Sequence, residues 1–351
     1  MKKHAIIPIF IPHRGCPHNC VFCNQKEITA RSDDVSPEDV RSIADTWLST
    51  LGSLDSANIE IAFYGGSFTA IPLEEQSAFL SVAKEYLDNG RIGGIHLSTR
   101  PDCIDADILD NLKRFGVTAV ELGVQSFSEE VLRLSCRGHG VSCVYRACDM
   151  IRDYGFRLGI QLMIGLPGDS EETCIDSARK TAEIRPELAR LYPTIVLDHT
   201  PLFEMYRAGT YAPLKREDAV RITAEMYEIL DEAGIQIMRV GLKSSDIIAE
   251  GGAVNGGTYH PAFRQLVEGY LARQQISGLL DSVITGTDDA GPATDAGAVR
   301  IRIYSNARWF SNMIGNQSKN RIYFSEHYPQ LNIRYMVDNE LADREFRVER
   351  V

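Results

Sequence analysis

The chain has 351 residues, 44% of them hydrophobic, and a formal net charge of −11. That length builds one large α/β domain and a small additional one around a sizeable core, and the acidic balance argues against a general nucleic-acid coat or an anionic membrane surface. The opening MKKHAIIPIFIPHRGC makes a poor export signal, because its apolar run is short, broken by Pro8 and not followed by a small-residue cleavage site. No run approaches the ~18 apolar residues of a membrane span. A cytoplasmic protein is expected, in which eight cysteines stay reduced.

Over the first 240 residues, short β-rich runs alternate with amphipathic helical runs. Strands are predicted at 5–11, 59–64, 94–98, 118–124, 158–164, 190–196 and 235–240. Ser36 and Pro37 open a helix with an N-cap and a proline in the first turn. Helical runs follow at 73–87, 105–114, 141–154 and 215–233, with another capped by Ser170 ahead of Glu171 and Glu172. Gly116, Gly155 and Gly234 stand where helices should stop. Alternating β and α predicts a parallel sheet with right-handed crossovers. Six βα units suggest an α/β partial (β/α)6 barrel of TIM type, with a doubly wound open sheet as the alternative.

Three cysteines, Cys16, Cys20 and Cys23, follow the first strand in the run C-P-H-N-C-V-F-C. Three nearby thiolates can hold three irons of a 4Fe–4S cluster and leave the fourth iron open to a cofactor. A structural zinc site completed by His13 or His18 is the competing reading, and inert reduced thiols a third. Cys103, Cys136, Cys143, Cys148 and Cys174 read as buried apolar fillers; the spacing of Cys136, Cys143 and Cys148 matches no metal pattern.

The other unusual segments also fall at strand C-termini: Gly65-Gly66-Ser67-Phe68, Ser98-Thr99-Arg100-Pro101-Asp102, Gln125-Ser126-Phe127, Gly165-Leu166-Pro167-Gly168-Asp169 and Asp198-His199-Thr200-Pro201. In a parallel barrel those ends form one rim, where active sites sit. Arg100, at a strand end, suits bidentate pairing with a carboxylate. Asp102 reads as an acid or base, or as a turn residue after proline. His139 reads as a substrate contact or, preferably, a turn residue, Tyr259 and His260 as either mouth or helix-start residues, and Trp47 and Trp309 as packing rather than stacking platforms.

With these motifs in place, the chain resembles the radical S-adenosylmethionine (SAM) superfamily. GCPHNCVFCNQ, FYGGSFT, STRPD, ELGVQSF, GLPGD, LYPTIV and GTYHPAF, in this order over about residues 5–270, resemble the radical-SAM core of the Elongator catalytic subunit, in the form of a short bacterial relative. The resemblance implies that Cys16, Cys20 and Cys23 ligate a 4Fe–4S cluster. It places Phe22, Gly65, Gly66, Ser67, Phe68, Ser98, Arg100, Gln125, Gly165 and Pro167 around SAM. Arg100, Gln125, Tyr259 and His260 are the candidate catalytic residues. It further implies wobble-uridine modification of tRNA, acetyl-CoA as a group donor, and a reduced electron donor such as flavodoxin or ferredoxin. No acetyltransferase motif is expected in this chain.

The expected organisation is a core domain at 1–272 that includes a 245–272 extension, a linker at 273–298, and a small α+β module at 299–351. The module's β-α-loop-α-β-β order resembles a minimal KH fold, with Gly315-Asn316-Gln317-Ser318 in the place of its backbone-clamping GxxG loop. Residues 300–336 hold Arg300, Arg302, Arg308, Lys319, Arg321 and Arg334 against Glu326, a basic excess suited to RNA contact.

Overall fold

Period-two burial builds the sheet. In β1 (Ala5–Ile11), Ile7 and Ile9 are fully buried, while Ile6, Pro8 and Phe10 line an interior cavity. The computed structural model describes residues 4–11, 16–24, 35–52, 54–242, 254–285 and 299–351. The cavity therefore lies on the concave side of the sheet, and the large aliphatics face the surrounding helices.

Seven parallel strands form this sheet among the described residues: β1, β2 (Ile59–Gly65), β3 (Gly94–Thr99), β4 (Ala119–Gln125), β5 (Arg157–Ile164), β6 (Leu188–Pro193) and β8 (Gln236–Val240). They pair in chain order, each parallel to the next, and the sheet curls into a half-barrel. β7 (Ile195–Leu197) and β9 (Val254–Gly257) form a separate antiparallel ladder. The helices between strands are α1 (Pro37–Leu51), α2 (Leu73–Asp88), α3 (Ala106–Arg114), α4 (Glu129–Leu134), α5 (Val141–Asp153), α6 (Glu171–Ile184), α7 (Pro201–Arg207) and α8 (Arg216–Glu232). The expected start signals operate: Ser36 forms a capping box with Asp39 at α1, and the Ser170 side chain accepts from the Thr173 amide at α6.

The chain divides into two compact units, Met1–Pro261 and Ala262–Val351. The second contains α9 (Phe263–Thr285), β10 (Val299–Ser305), α10 (Phe310–Ile314), α11 (Lys319–His327), β11 (Leu331–Val337) and β12 (Arg347–Arg350). Its sheet order is β11-β10-β12, with β10 parallel to β11 and antiparallel to β12. Ala272, Ile276, Leu280, Ile301, Ile303, Trp309, Met313 and Phe324 form its core.

The division at Pro261 precedes the boundary expected at 272, and residues 273–285 are helix rather than linker. The cause is an i, i+4 stripe, Ala272-Ile276-Leu280, that enters the second unit's core. The rest of the expected linker, 286–298, lies outside the described residues, as does 245–253 of the expected extension. No helix among the described residues is long and apolar enough to cross a membrane.

Candidate active site

The cysteine segment is held at the rim by main-chain bonds to other loops. The Val21 amide donates to the Ser135 carbonyl (3.1 Å), and the Val21 carbonyl accepts from Leu202 (2.8 Å). The Asn24 side chain donates to the Asp198 carbonyl at 3.3 Å. Val21 packs with Val196, Leu202 and Tyr211, and Phe22 lies against this cluster. Cys16, Cys20 and Cys23 thereby share one wall of the interior cavity, about 460 Å³ in volume.

Two guanidinium groups serve this wall. Arg100 and Arg137 each point a nitrogen at the Cys20 sulfur, at 3.6 and 3.2 Å. Arg100 is clamped by both oxygens of Asp102, at 2.9 and 3.0 Å, and also donates to the Arg137 carbonyl. Burial works to raise the Asp102 carboxyl, but Arg100 outweighs it and holds the group below its usual range. Burial pushes the Cys16 thiol up, against the pull of Arg100. The donor set fits an anionic sulfur cluster: three thiols on one loop, with fixed positive charge aimed at one of them. Among the described residues, no three Cys, His, Asp or Glu side chains already stand close enough to ligate one ion.

The cavity collects most of the sequence-derived candidates. Phe22, Gly65, Gly66, Ser98, Arg100 and Gln125 all line it. Ser67 lies behind the wall: its hydroxyl bonds Thr99 Oγ1 at 2.8 Å and accepts from the Arg100 amide at 3.2 Å, fastening the loop after β2 to the end of β3. Phe68 is buried 4.9 Å from the Phe63 ring. Gly165 and Pro167 are buried outside the lining, and the Gly165 carbonyl accepts from the Tyr211 hydroxyl at 2.7 Å. Tyr259 packs on Ile195 and Leu197 next to Leu242, and neither it nor His260 lines the cavity.

Other assignments change or gain detail. Trp47 lines the cavity, while Trp309 is a core residue. Cys136 is exposed and Cys103 and Cys143 are half-buried, so only Cys148 and Cys174 are buried fillers; burial pushes the Cys148 thiol up to about 12. His18 lines the cavity beside the cysteines and pairs with Asp102 at 3.6 Å; His13 lies outside the described residues. His139 is pushed down to about 4 by burial and by Arg137, and its Nδ1 lies 3.4 Å from the Gly140 carbonyl, consistent with a turn residue.

The cavity floor carries a charged group that the sequence reading did not single out. Arg190 donates to Glu121 at 2.6 Å and to the hydroxyls of Tyr192 and Tyr64, and lies 4.8 Å over the Tyr64 ring. Below it, buried His96 stands 3.8 Å from both Glu60 and Glu121. The available signal was a charged or imidazole residue inside four of the strand runs, as in IEIAFY, GIHLS, AVELGV and LARLYP.

A curled parallel half-barrel with a three-cysteine loop and a glycine turn on one rim defines the class. The family model described as the radical SAM superfamily matches residues 10–181, and that of the Radical_SAM C-terminal domain matches 186–273. The chain belongs to the radical SAM superfamily and is an enzyme of that class. Within it, the chain is a relative of the Elongator catalytic subunit. It is 24% identical over 264 residues to the tRNA uridine(34) acetyltransferase of Methanocaldococcus infernus, covering 64% of this chain and 49% of that protein. It is 27% identical over 262 residues to Elongator complex protein 3 of Homo sapiens, covering 62% and 48%. An uncharacterized protein of Methanocaldococcus jannaschii is 26% identical over 238 residues, covering 62% of this chain and 69% of its own length. The chain thus spans about half the length of the first two relatives. The solved structure of the archaeal M. infernus Elp3, lacking residues 1–46, shares the fold: TM-score 0.64 at 22% identity, covering 78% of this chain and 64% of that one.

Proposed function

We propose that this enzyme holds a 4Fe–4S cluster on Cys16, Cys20 and Cys23, cleaves SAM reductively, and modifies an RNA, with tRNA the first substrate class to test. The observation that carries the reading is that three cysteines, the Gly65-Gly66 turn and Arg100, itself clamped by Asp102, line one cavity. The names of the relatives, tRNA uridine(34) acetyltransferase among them, support the RNA half. When bound, cluster and SAM together supply a 5′-deoxyadenosyl radical for hydrogen abstraction.

The chain's own residues have simpler tasks. The three thiols would ligate the cluster. Gly65 and Gly66 offer main-chain groups to the amino end of SAM at close approach. Ser98, Arg100 and Gln125 line the methionine and ribose side, with Phe22 toward the adenine. Arg100 and Arg137 stabilise negative charge at the Cys20 sulfur. Gly165 and Pro167 shape the adenine end from behind the wall. Reduction comes from a donor of the flavodoxin or ferredoxin kind, for which dithionite substitutes in vitro.

The test is anaerobic purification with iron, sulfide and zinc analysis, followed by dithionite and SAM. Wild-type protein should carry about four irons and form 5′-deoxyadenosine, and Cys16→Ala should lose both. One zinc with no iron after reconstitution would overturn the reading in favour of a zinc-bearing RNA-binding protein. Cluster-dependent cleavage with no tRNA product would leave a radical enzyme acting on a small molecule or peptide.

A further inference from the structure

The basic residues of the second unit do not form one patch. Arg308 pairs with Asp343. Lys319 and Arg321 sit on α11, whose Phe324 fills the core on the inner side of the sheet. The opposite side of the sheet is different. Ile301, Ile303 and Ser305 of β10 are buried, so the alternating residues Arg300, Arg302 and Tyr304 face outward. Registered beside them are Asn332, Arg334 and Met336 of β11, all exposed. On the other flank, β12 pairs Arg347 with Tyr304 and Glu349 with Arg302. The open face therefore carries Arg300, Arg302, Arg334 and Arg347 against Glu349 and, just past the end of β11, Asp338.

The pairing within that face is unbalanced. Arg347 is fully engaged: it bonds Asp338 and Glu349, each at 2.9 Å, and lies 4.6 Å over the Tyr304 ring. Glu349 is thereby used, leaving Arg300, Arg302 and Arg334 without a charged partner among the described residues. Arg302 and Arg334 are also direct neighbours in the parallel register. Like charges placed opposite one another on a sheet repel; an anion between them removes that cost.

The loop in the GxxG position is closed by comparison. Gly315 is buried, and a Cβ on it would fall 2.8 Å from the Asn320 amide nitrogen. Asn316 donates to Gln265 of α9 at 3.0 Å, and Asn320 donates to the Gly269 carbonyl of α9 at 2.7 Å. The glycine serves packing inside the unit, not close approach to a phosphate.

We propose that the open face of the β11-β10-β12 sheet, through Arg300, Arg302 and Arg334, binds the phosphate backbone of the RNA. The proposal rests on the RNA-substrate reading above and moves the contact from the 315–318 loop to the sheet. In a chain of net charge −11, such an uncompensated arginine face fits a polyanion by charge complementarity. Exposed Met336, two residues along β11 from Arg334, adds apolar surface beside the arginines for an unstacked base.

The experiment is filter binding of the full chain to bulk tRNA across a salt series. Three variants are compared with wild type: Arg302→Gln/Arg334→Gln, Arg302→Lys/Arg334→Lys, and Asn316→Ala/Gln317→Ala. The double glutamine variant should bind roughly tenfold more weakly at moderate salt, with a log–log salt slope shallower by about 1.4 to 2. The lysine and loop variants should stay near wild type. Unchanged binding by the glutamine variant overturns the proposal while leaving RNA as the substrate class, and a loss confined to the loop variant returns the contact to 315–318. Loss in the lysine variant equal to that in the glutamine variant overturns charge-based contact. Wild-type protein that does not bind tRNA at low salt removes the RNA reading itself, a failure distinct from those above, and iron content and SAM cleavage report separately on the radical chemistry.

Discussion

Glu60 illustrates how single residues are tuned inside the half-barrel. It faces His96 at 3.8 Å and His4 at 3.5 Å, and Arg157 bonds its other oxygen. Burial acts to raise its carboxyl, but the neighbouring His96 and the Arg157 charge outweigh burial and hold it at about 2, against an ordinary value of 4.5. A depressed folded-state value means that the group stabilises the fold fully above its unfolded value and loses that contribution as pH falls toward the folded one. The window therefore runs from about 4.5 down to about 2. Replacing the carboxyl, Glu60→Gln, should lower stability near neutral pH and flatten the acid limb of the unfolding profile across that window. Denaturant midpoints at several pH values would show it; a parallel offset of the two profiles through the window would contradict the assignment. Deeper in the cavity, the Glu121 carboxylate keeps the buried Arg190 guanidinium charged beside two phenols.

At the scale of elements, function is concentrated where strands end and turns begin. Gly65 closes β2 at φ +116, and a Cβ there would lie 2.3 Å from the Ile11 carbonyl oxygen at the end of β1. That same oxygen accepts from the Gly66 amide at 3.0 Å. Gly65→Ala must displace backbone, not a pliable side chain, at the strand end leading toward the cysteine loop. We expect a loss of about 1–3 kcal/mol in stability together with weaker SAM binding by the reconstituted enzyme; an unfolding midpoint equal to wild type would refute the steric argument. The positions of such turns were legible because glycine, proline and capping residues carry local conformational information. The seven strands were legible for the related reason that continuous apolar runs suit a sheet covered by helices. The polar floor was harder to read, since Glu60, His96, Glu121 and Arg190 alternate with apolar neighbours as solvent-facing residues do, and only closure of the sheet turns that face inward. The short ladder of β7 and β9 was missed because Ile195-Val196-Leu197 continues the run of β6 with a break only at Thr194. The second half of α9 was obscured by the Gly-, Asp- and Thr-rich stretch that follows it.

For the whole molecule, the division at Pro261 separates two cores built on different rules. The first unit surrounds its cavity with a parallel sheet whose inner face sets Glu121, Gln161 and Arg190 among apolar residues. The second is a small mixed sheet with helices on one side, closed by Phe324, Met313, Trp309 and the α9 stripe. Phe324 is fully buried and lies 5.7 Å from the Tyr323 ring and 6.3 Å from that of Tyr328, so truncation leaves a cavity that aromatic neighbours fill poorly. Phe324→Ala should therefore cost about 3–5 kcal/mol within that unit. Because each unit encloses its own core, the loss should be local. Amide exchange should accelerate across β10, β11 and α11 while β3, β4 and β5 keep their protection, and iron content and SAM cleavage should be retained. Equal acceleration in the half-barrel strands would instead mean that the chain unfolds as one cooperative body. In that case, loss of tRNA binding after truncation of residues 299–351 could not be assigned to the sheet face, and only the point variants at Arg302 and Arg334 would locate the contact.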